Sequence, residues 1–204
     1  MRRLTRTNVT GLPGVSFVKA AVRRPDCGEF RGPEKKRRLG ARHKQPVRRA
    51  CAQKTRRMDT IAYTEYMTLR TKKKYEIIDI TDTVERVRAV ANLRDGYVLV
   101  STMHITSSIF VNDHEPGLWS DILAWVERLA PAGLDYQHHQ TGEDNGDAHL
   151  KRMLLGHQVL VPVTNAALDL GPWERIHYGE FDGQRPKRIL FKALGLPVEA
   201  KVPA

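Results

Sequence analysis

The strongest constraint on how this chain can fold is the uneven distribution of its charge. Residues 1–57 contain 18 basic and 3 acidic residues, a net charge of +15, whereas residues 58–204 contain 16 basic and 20 acidic residues, a net charge of −4. A segment with such a high net charge and few apolar side chains cannot bury enough surface to fold on its own. We therefore predict that residues 1–57 are a disordered extension and that residues 58–204 form a single domain.

The basic segment is compatible with several roles. It is rich in arginine and contains one serine, Ser16, which suits a tail for nucleic acids or membrane surfaces, or a transit peptide. It has no apolar stretch of the kind found in secretory signals. We favour another interpretation, an over-extended start with Met58 as the true initiator, because a strand pattern begins within three residues of Met58.

Partners and location follow from the same division of charge. No apolar run approaches the roughly 18 residues that suggest a membrane-spanning helix, so we expect a soluble, cytoplasmic protein. Because residues 58–204 are acidic overall, we expect nucleic acid to bind only through the basic tail, if at all.

Both cysteines, Cys27 and Cys51, lie in the basic segment. A metal bound by the domain must therefore be held by histidine and carboxylate side chains.

Short apolar stretches predict more strands than helices. Helices are predicted to begin at Thr81, at Pro116 and at about Ala148. The stretches that predict strands cover residues 61–71, 75–80, 97–103, 105–111, 158–164, 173–181 and 188–194. Because these strands meet through short turns, we expect an α+β fold with a mixed, mostly antiparallel β-sheet packed with two to three helices.

Residues 136–156, YQHHQTGEDNGDAHLKRMLLG, contain three of the eight histidines of the chain in a polar stretch. Imidazole is the commonest metal ligand and titrates near neutral pH. The acidic residues Glu143, Asp144 and Asp147 lie between His139 and His149, and the segment then becomes apolar. The pattern predicts a functional site on a polar loop that leads into a buried helix.

His104, His138 and His149 are the histidines that we expect to bind a metal. His104 lies between two apolar strand stretches, and the other two lie eleven residues apart across the loop. Together they can form a three-histidine face with open positions for substrate, which suits a divalent, zinc-like transition metal ion. For His104 a buried core position is the alternative, and Asp147 is either a partner of an imidazole or a helix-start acid.

Four more residues are expected to contact a ligand. Thr106 and Ser107 follow His104, and their hydroxyl groups suit a phosphate. Asn145 lies within the histidine-rich loop. Trp173 stands beside a carboxylate, Glu174, where it can form one wall of a ligand pocket.

Two carboxylates are the candidate catalytic residues. Glu115 precedes the helix that begins at Pro116, and Asp144 lies in the histidine-rich loop. Either can move protons or hold a ligand. We expect the neighbouring Asp113 and His114 to be only part of a helix-capping segment.

Long stretches of the sequence resemble the YjbQ family of small proteins, and the resemblance extends from Met58 to Gly195. The matching stretches are HITSSIFVNDHEPGLWSDI, YQHHQTGEDNGDAHLKRMLLG, VPVTN and LDLGPWERIHYGEFDGQRPKRILF. The resemblance implies an α+β domain that assembles into a compact homo-oligomer, typically a trimer. It also implies that His104, His138 and His149, which match the motif histidines of the family, cluster at a metal or anion site.

The activity linked to the family is a weak, secondary thiamine-phosphate synthase reaction, which joins a pyrimidine diphosphate to a thiazole phosphate. The sequence departs from the family pattern in two places, and the second departure replaces an amide by a carboxylate near the expected pocket. Ala166 stands where the family has glycine, and Glu174 stands where it has glutamine. Substrate details therefore do not transfer to this chain.

The residues and the resemblance together predict a metal-dependent enzyme that acts on a phosphorylated small molecule, with thiamine-phosphate-synthase-like transfer as one candidate reaction. A metal would neutralise the departing diphosphate, although three imidazoles prefer zinc-like ions to the magnesium usual in such chemistry. The alternative is a non-catalytic oligomer that binds a metal, an anion or another small ligand. Whether the chain is an enzyme stays open at this level.

Overall fold

The computed structural model describes residues 59–199 and the backbone of residues 16–20. The helices in this part of the chain are α1 (Thr81–Val90), α2 (Pro116–Leu129), α3 (Gly146–Leu155) and a 3₁₀ helix (Gln137–Thr141). The strands are β1 (Ser16–Ala20), β2 (Ile61–Leu69), β3 (Glu76–Asp79), β4 (Leu93–Thr102), β5 (Ser107–Asn112), β6 (Gln158–Thr164), β7 (Ala167–Leu168), β8 (Arg175–Glu180) and β9 (Lys187–Pro197).

The strands form two sheets. The larger sheet has the strand order β1-β2-β9-β4-β6-β7, and the smaller has the order β3-β8-β5. Every strand pair within the described residues is antiparallel. The predicted α+β fold, with mostly antiparallel strands and two to three helices, is confirmed.

The strand β1 lies in the segment that the sequence predicts to be disordered. Its residues Ser16–Ala20 pair antiparallel with the stretch of β2 from Thr64 to Thr68. This pairing satisfies backbone groups that would otherwise be free at the edge of β2, and the disorder of residues 1–57 as a whole stays a prediction. Met58, the favoured initiator, and the rest of residues 1–57 lie outside the described residues.

The main core lies between the two sheets and α1. Alternate residues of the larger sheet point inward, among them Val98 and Val100 on β4 and Phe191 on β9. The smaller sheet contributes Ile176 and Tyr178 from β8 to this core. Because side chains alternate along a strand, His177 points to the opposite face of the smaller sheet.

The opposite face of the smaller sheet is covered by α2. Ile77 on β3 and Phe110 on β5 form a buried cluster with Ile122 of α2, and Trp119 packs against it. Within the described residues, no helix is both long and apolar enough to span a membrane. The connections at the ends of these strands and helices carry the polar residues of the candidate site.

Candidate functional site

A cavity of about 290 Å³ forms where three connecting segments come together. These segments are the β4–β5 connection, the stretch from the 3₁₀ helix into α3, and the β8–β9 connection. The described residues that line the cavity are His104, Ile105, Thr106, His138, Glu143, Asn145, His149 and Arg185. The three histidines singled out in the sequence therefore line a single cavity.

His138 and His149 are the closest pair of histidine rings in the cavity. Their ring centroids lie 4.5 Å apart in an edge-on arrangement. His138 belongs to the 3₁₀ helix and His149 to the first turns of α3. The turn that holds His138 is closed locally, because the Thr141 hydroxyl donates to the His138 carbonyl and Gly142 follows with a φ of 87°.

His139 is held away from the lining of the cavity by a structural role. Its Nε2 accepts a hydrogen bond of 3.2 Å from the backbone N–H of Gly146, the first residue of α3. Its ring also packs edge-on against Tyr136. His139 thus satisfies one of the free N–H groups at the start of the helix that carries His149.

Lys187 lies beneath the cavity and is almost fully buried. Its Nζ donates to the Thr106 hydroxyl at 2.7 Å, to the Asp182 carbonyl at 2.8 Å and to a carboxylate oxygen of Glu180 at 2.5 Å. Burial lowers the pKa of Lys187, and the hydrogen bond to Glu180 opposes that effect. These three acceptors use all three protons of the ammonium group, which places a positive charge behind Thr106.

The contacts of Thr106 favour one tautomer of His104. Because the Thr106 oxygen accepts from Lys187, its own proton is free to go to Nδ1 of His104, 2.9 Å away. The backbone N–H of Thr106 points to the same nitrogen at 3.3 Å. Two donors at Nδ1 assign the ring proton to Nε2. His104 therefore offers an N–H donor, rather than a free lone pair, to a ligand.

Burial keeps two imidazoles of the cavity neutral at neutral pH. Burial lowers the pKa of His104, and the positive charges of Lys187 and Arg185 lower it further. Burial also lowers the pKa of His149, with His138 and Arg152 contributing. A neutral imidazole can both donate and accept a proton, so the cavity contains groups suited to proton transfer.

Asn145 and Arg185 are connected through Asp182. The Asn145 side-chain amide donates to an Asp182 carboxylate oxygen at 2.9 Å, and Arg185 forms a salt bridge with the same oxygen. The Asn145 Oδ1 is buried without a hydrogen-bond partner among the described residues. The connection fixes a guanidinium and an amide at the rim of the cavity.

The predicted three-histidine metal centre stays a prediction, and the tautomer assigned to His104 weighs against it. Nε2 of His104 is protonated in the assigned tautomer, whereas a metal ligand needs a free lone pair. Among the described residues, the one group of His, Cys, Asp and Glu side chains with ligand atoms all within 4.8 Å of one another is Asp79, His114 and His177. The donors of the cavity suit an anion better than a metal ion.

Four residues of the predicted site lie outside the described lining of the cavity. Glu115 caps α2, since its two carboxylate oxygens accept from the N–H groups of Gly117 and Leu118 at 2.7 and 2.5 Å. These two bonds lower the pKa of Glu115 and make it the helix cap of α2, so its catalytic role stays a prediction that this cavity does not support. The other three residues are Asp144, Ser107 and Trp173.

Asp144, Ser107 and Trp173 also take positions that the sequence did not indicate. Asp144 is exposed, and the lining carboxylate is its neighbour Glu143. Ser107 is fully buried and shares a hydrogen bond with Thr102 behind the cavity. Trp173 is 75% exposed in the turn before β8 and lines no part of this cavity.

Arg185 and Lys187 were missed by the sequence analysis. Arg185 lies in a charged turn, QRPKR, where nothing distinguished it from other solvated arginines. The sequence does contain an indication for Lys187. It continues the series of inward-facing residues Ile189 and Phe191 at a spacing of two residues. A lysine at an inward strand position is buried and must have partners.

Comparisons with known proteins agree on one family. The model of the family described as UPF0047 protein YjbQ-like matches residues 65–196. A UPF0047 protein of Archaeoglobus fulgidus is 50% identical over 128 residues, which are 63% of this chain and 98% of that protein. A UPF0047 protein of Methanothermobacter thermautotrophicus is 40% identical over 135 residues, which are 66% of this chain and 94% of that protein.

Solved structures with the same fold give a consistent result. A YbjQ-like protein of unknown function from Sulfolobus solfataricus superimposes with a TM-score of 0.64 at 31% identity, and the match covers 67% of this chain and 99% of that one. A protein of the yjbq/upf0047 family from Clostridium acetobutylicum gives a TM-score of 0.59 at 30% identity and covers 64% and 98%. The names of these relatives state no substrate or reaction.

Proposed function

The chain belongs to the UPF0047 YjbQ-like family, and we propose that it is an enzyme that binds a phosphorylated small molecule in the histidine cavity. The observation that carries the proposal is the set of donors around one cavity. His104 offers its Nε2–H, Arg185 lines the rim, and the buried ammonium of Lys187 lies behind Thr106. Donors and positive charges arranged in this way match the several acceptor oxygens of a phosphate group.

The arrangement is pre-organised, which favours binding of a defined anion over a diffuse counter-ion. Arg185 is held by Asp182, and Asp182 is held by Asn145. His104 is oriented by Thr106. Groups whose side chains are fixed before the ligand arrives lose less conformational freedom on binding.

His149 is the group that we propose to move a proton. Its pKa is lowered by burial and by His138, so it is neutral at neutral pH and can accept a proton from an attacking nucleophile. The ring of His138, 4.5 Å away between centroids, lies close enough to influence that transfer. Glu143 is the carboxylate of the described lining.

The candidate reactions share a departing phosphate or diphosphate. A thiamine-phosphate-synthase-like transfer, as implied by the resemblance, releases diphosphate, and a hydrolytic reaction releases phosphate. In either case His104 and Arg185 would neutralise the charge that develops on the leaving group. We further propose that the active form is a cytoplasmic homotrimer, in line with the same resemblance.

Metal dependence at this cavity is a separate prediction, and no step above requires it. His104, His138 and His149 would be its ligands. Plasma mass spectrometry of the full chain and of its His138→Ala and His149→Ala variants tests it. Near-stoichiometric metal that is lost in both variants would support the metal centre, and equal metal content in all three proteins would remove it.

The anion-binding part is tested by calorimetric titration of the full chain with inorganic pyrophosphate at pH 7.5. We expect His104→Ala and Arg185→Ala each to weaken binding at least about tenfold, because a hydrogen bond to a charged group contributes about 1.5–3 kcal/mol. Arg128→Ala, which removes an exposed arginine of α2, is the matched control and should bind as the wild type does. Equal affinity in all four proteins would exclude the cavity as the anion site.

The catalytic part is tested by ³¹P NMR of phosphorylated and diphosphorylated small molecules incubated with the wild type and His149→Ala. We expect release of phosphate or diphosphate by the wild type and at least about a hundredfold slower release by the variant, as is typical of a lost general base. Binding without turnover in the wild type would favour the non-catalytic alternative, a small-ligand-binding oligomer.

A further inference from the structure

A second cluster of ligand-type side chains lies on the face of the smaller sheet that α2 covers. Asp79 at the end of β3 stands directly opposite His177 of β8 in the strand register. His114, from the connection between β5 and α2, reaches over them and places its Nδ1 2.9 Å from an oxygen of Asp79. One ligand atom from each of the three residues lies within 4.8 Å of the other two.

His177 is the unusual member of this cluster. It is 0% exposed, yet neither of its ring nitrogens forms a well-aligned hydrogen bond within the described residues, and the backbone of Arg175 offers one of them only a weak contact. Phe110 stacks on the ring and Trp119 packs edge-on against it, each with a centroid distance of 5.4 Å. Buried polar groups almost always have a well-formed partner, so this imidazole retains a nitrogen that a further ligand could satisfy.

We propose that Asp79, His114 and His177 bind one divalent transition metal ion of the zinc class. Two imidazoles and one carboxylate are a ligand set that such ions favour, and the remaining coordination position would be open to solvent. The route to the site is the side of His114, whose side chain is half exposed. The metal would satisfy that nitrogen of His177.

Arg175 competes with the metal for Asp79. Its Nε donates to Oδ2 of Asp79 at 2.8 Å, and its terminal nitrogen reaches Asp82 at 3.1 Å. Asp82 is almost fully exposed, so Arg175 can turn towards it and release Oδ2. The other oxygen of Asp79 accepts from the N–H of Thr81 at 2.8 Å, which fixes the carboxylate in place for a ligand.

The site would connect elements that are distant in the sequence. It joins the end of β3, the middle of β8 and the segment that leads into α2. An ion that binds only the folded state stabilises that state, so metal should raise the unfolding temperature. The site is independent of the function proposed above, because it shares no residue with the histidine cavity.

The test uses the full chain in a background that removes two of the three cavity histidines, by His138→Ala and His149→Ala, and both cysteines of the basic segment, by Cys27→Ser and Cys51→Ser. The metal-free protein is titrated with Zn²⁺ by calorimetry, and its unfolding temperature is measured with and without Zn²⁺. We expect one equivalent to bind and the unfolding temperature to rise.

Three variants in this background locate the ion. His114→Ala, at a half-exposed position, should weaken Zn²⁺ binding by at least about a hundredfold, since even outer partners of metal ligands contribute about 10- to 100-fold. Asp79→Asn retains an oxygen for Thr81 and should also weaken binding. His157→Ala, which removes an exposed histidine outside the cluster, is the control and should leave the affinity unchanged.

Arg175→Gln is expected to change the Zn²⁺ affinity in the opposite direction. Because it removes the competing guanidinium, it should bind Zn²⁺ more tightly than the background protein, whereas loss of an ordinary structural contact would not do so. The absence of Zn²⁺ binding in the background protein, or equal affinity in His114→Ala and His157→Ala, would overturn the proposal.

Discussion

Asp147 and Lys151 are both almost fully buried, one turn apart in α3. Lys151 donates to Asp147 and to Glu127, each at 2.6 Å, and the hydroxyl of Tyr75 donates to Asp147 at 2.9 Å. Burial would raise the pKa of Asp147, but the hydrogen bonds from Lys151 and Tyr75 outweigh it, and the pKa is lowered. Asp147, which the sequence left between two interpretations, anchors the helix that carries His149.

Asp147→Asn is predicted to lower the free energy of unfolding by about 3 kcal/mol, because it leaves the ammonium of Lys151 with only the half-exposed Glu127 as its charge partner. Urea unfolding at pH 7 measures the change. Asp121→Asn, at an exposed position of α2, should change stability by less than about 0.5 kcal/mol. Equal stability of the two variants would contradict the role of Asp147 as an anchor.

The same residue predicts a pH dependence. Since the folded-state pKa of Asp147 is lowered, its contribution is fully present above the unfolded-state pKa of about 4 and is lost as the pH falls through the folded-state value. The difference in unfolding free energy between the wild type and Asp147→Asn should therefore shrink from pH 6 to pH 3. A difference that stays constant over this range would refute the assignment.

Thr106→Val tests the orientation of His104. The substitution removes the hydroxyl that connects Lys187 to Nδ1 of His104 and leaves only the backbone donor at 3.3 Å. We expect pyrophosphate binding to weaken about tenfold, the equivalent of one hydrogen bond. Thr106→Ser, which keeps the hydroxyl, should restore most of the affinity, and failure to restore it would indicate a steric effect instead.

At the scale of secondary structure elements, the sequence was most informative where side chains alternate. The predicted strands 158–164 and 188–194 correspond to β6 and to the centre of β9, and the helix start at Pro116 is correct. The two-residue β7 and the 3₁₀ helix were not predicted. Elements this short lack a periodic pattern that the sequence could reveal.

The site was predictable in part for a related reason. Three separate histidines gave a compositional signal, and the structure brings all three to one cavity. The role of Glu115 was not predictable from the sequence, because an acidic residue before a helix can serve equally well as a helix cap or as a catalytic group. The pairing of His114 with Asp79 and His177 joins β3, β8 and the segment before α2, and no local sequence spacing indicates such a contact.

Gly195→Ala tests the close packing of β4 and β9. Gly195 faces Gly96 in the strand register, and its φ is 150°. A Cβ at Gly195 would lie 2.1 Å from the carbonyl oxygen of Asp95, so the strands would have to separate. We expect a loss of about 2 kcal/mol or more in thermal or urea unfolding. Gly133→Ala is the control, because Gly133 also has a positive φ but an added Cβ would meet nothing within 4 Å. It should therefore show only the effect of the strained backbone and a smaller loss of unfolding free energy.

At the scale of the whole molecule, the described part exposes several large apolar side chains, including Ile105, Met153, Leu160 and Trp173. Scattered exposed apolar residues are normal, but several on one small chain are also consistent with subunit contacts. For the homotrimer proposed above, we predict a light-scattering mass of about three times the chain mass of 23.2 kDa. A mass equal to one chain at micromolar concentration would contradict the predicted trimer.

The central claim is that the histidine cavity binds a phosphate-type anion through a donor N–H of His104. The most direct measurement is a two-bond ¹H–¹⁵N NMR spectrum of the histidine side chains of the full chain, recorded before and after addition of pyrophosphate and assigned with His104→Ala. The account predicts a neutral His104 ring with its proton on Nε2 and a shift of that nitrogen when pyrophosphate binds. A proton on Nδ1, with no response to pyrophosphate but a response to Zn²⁺, would contradict it in favour of a metal centre.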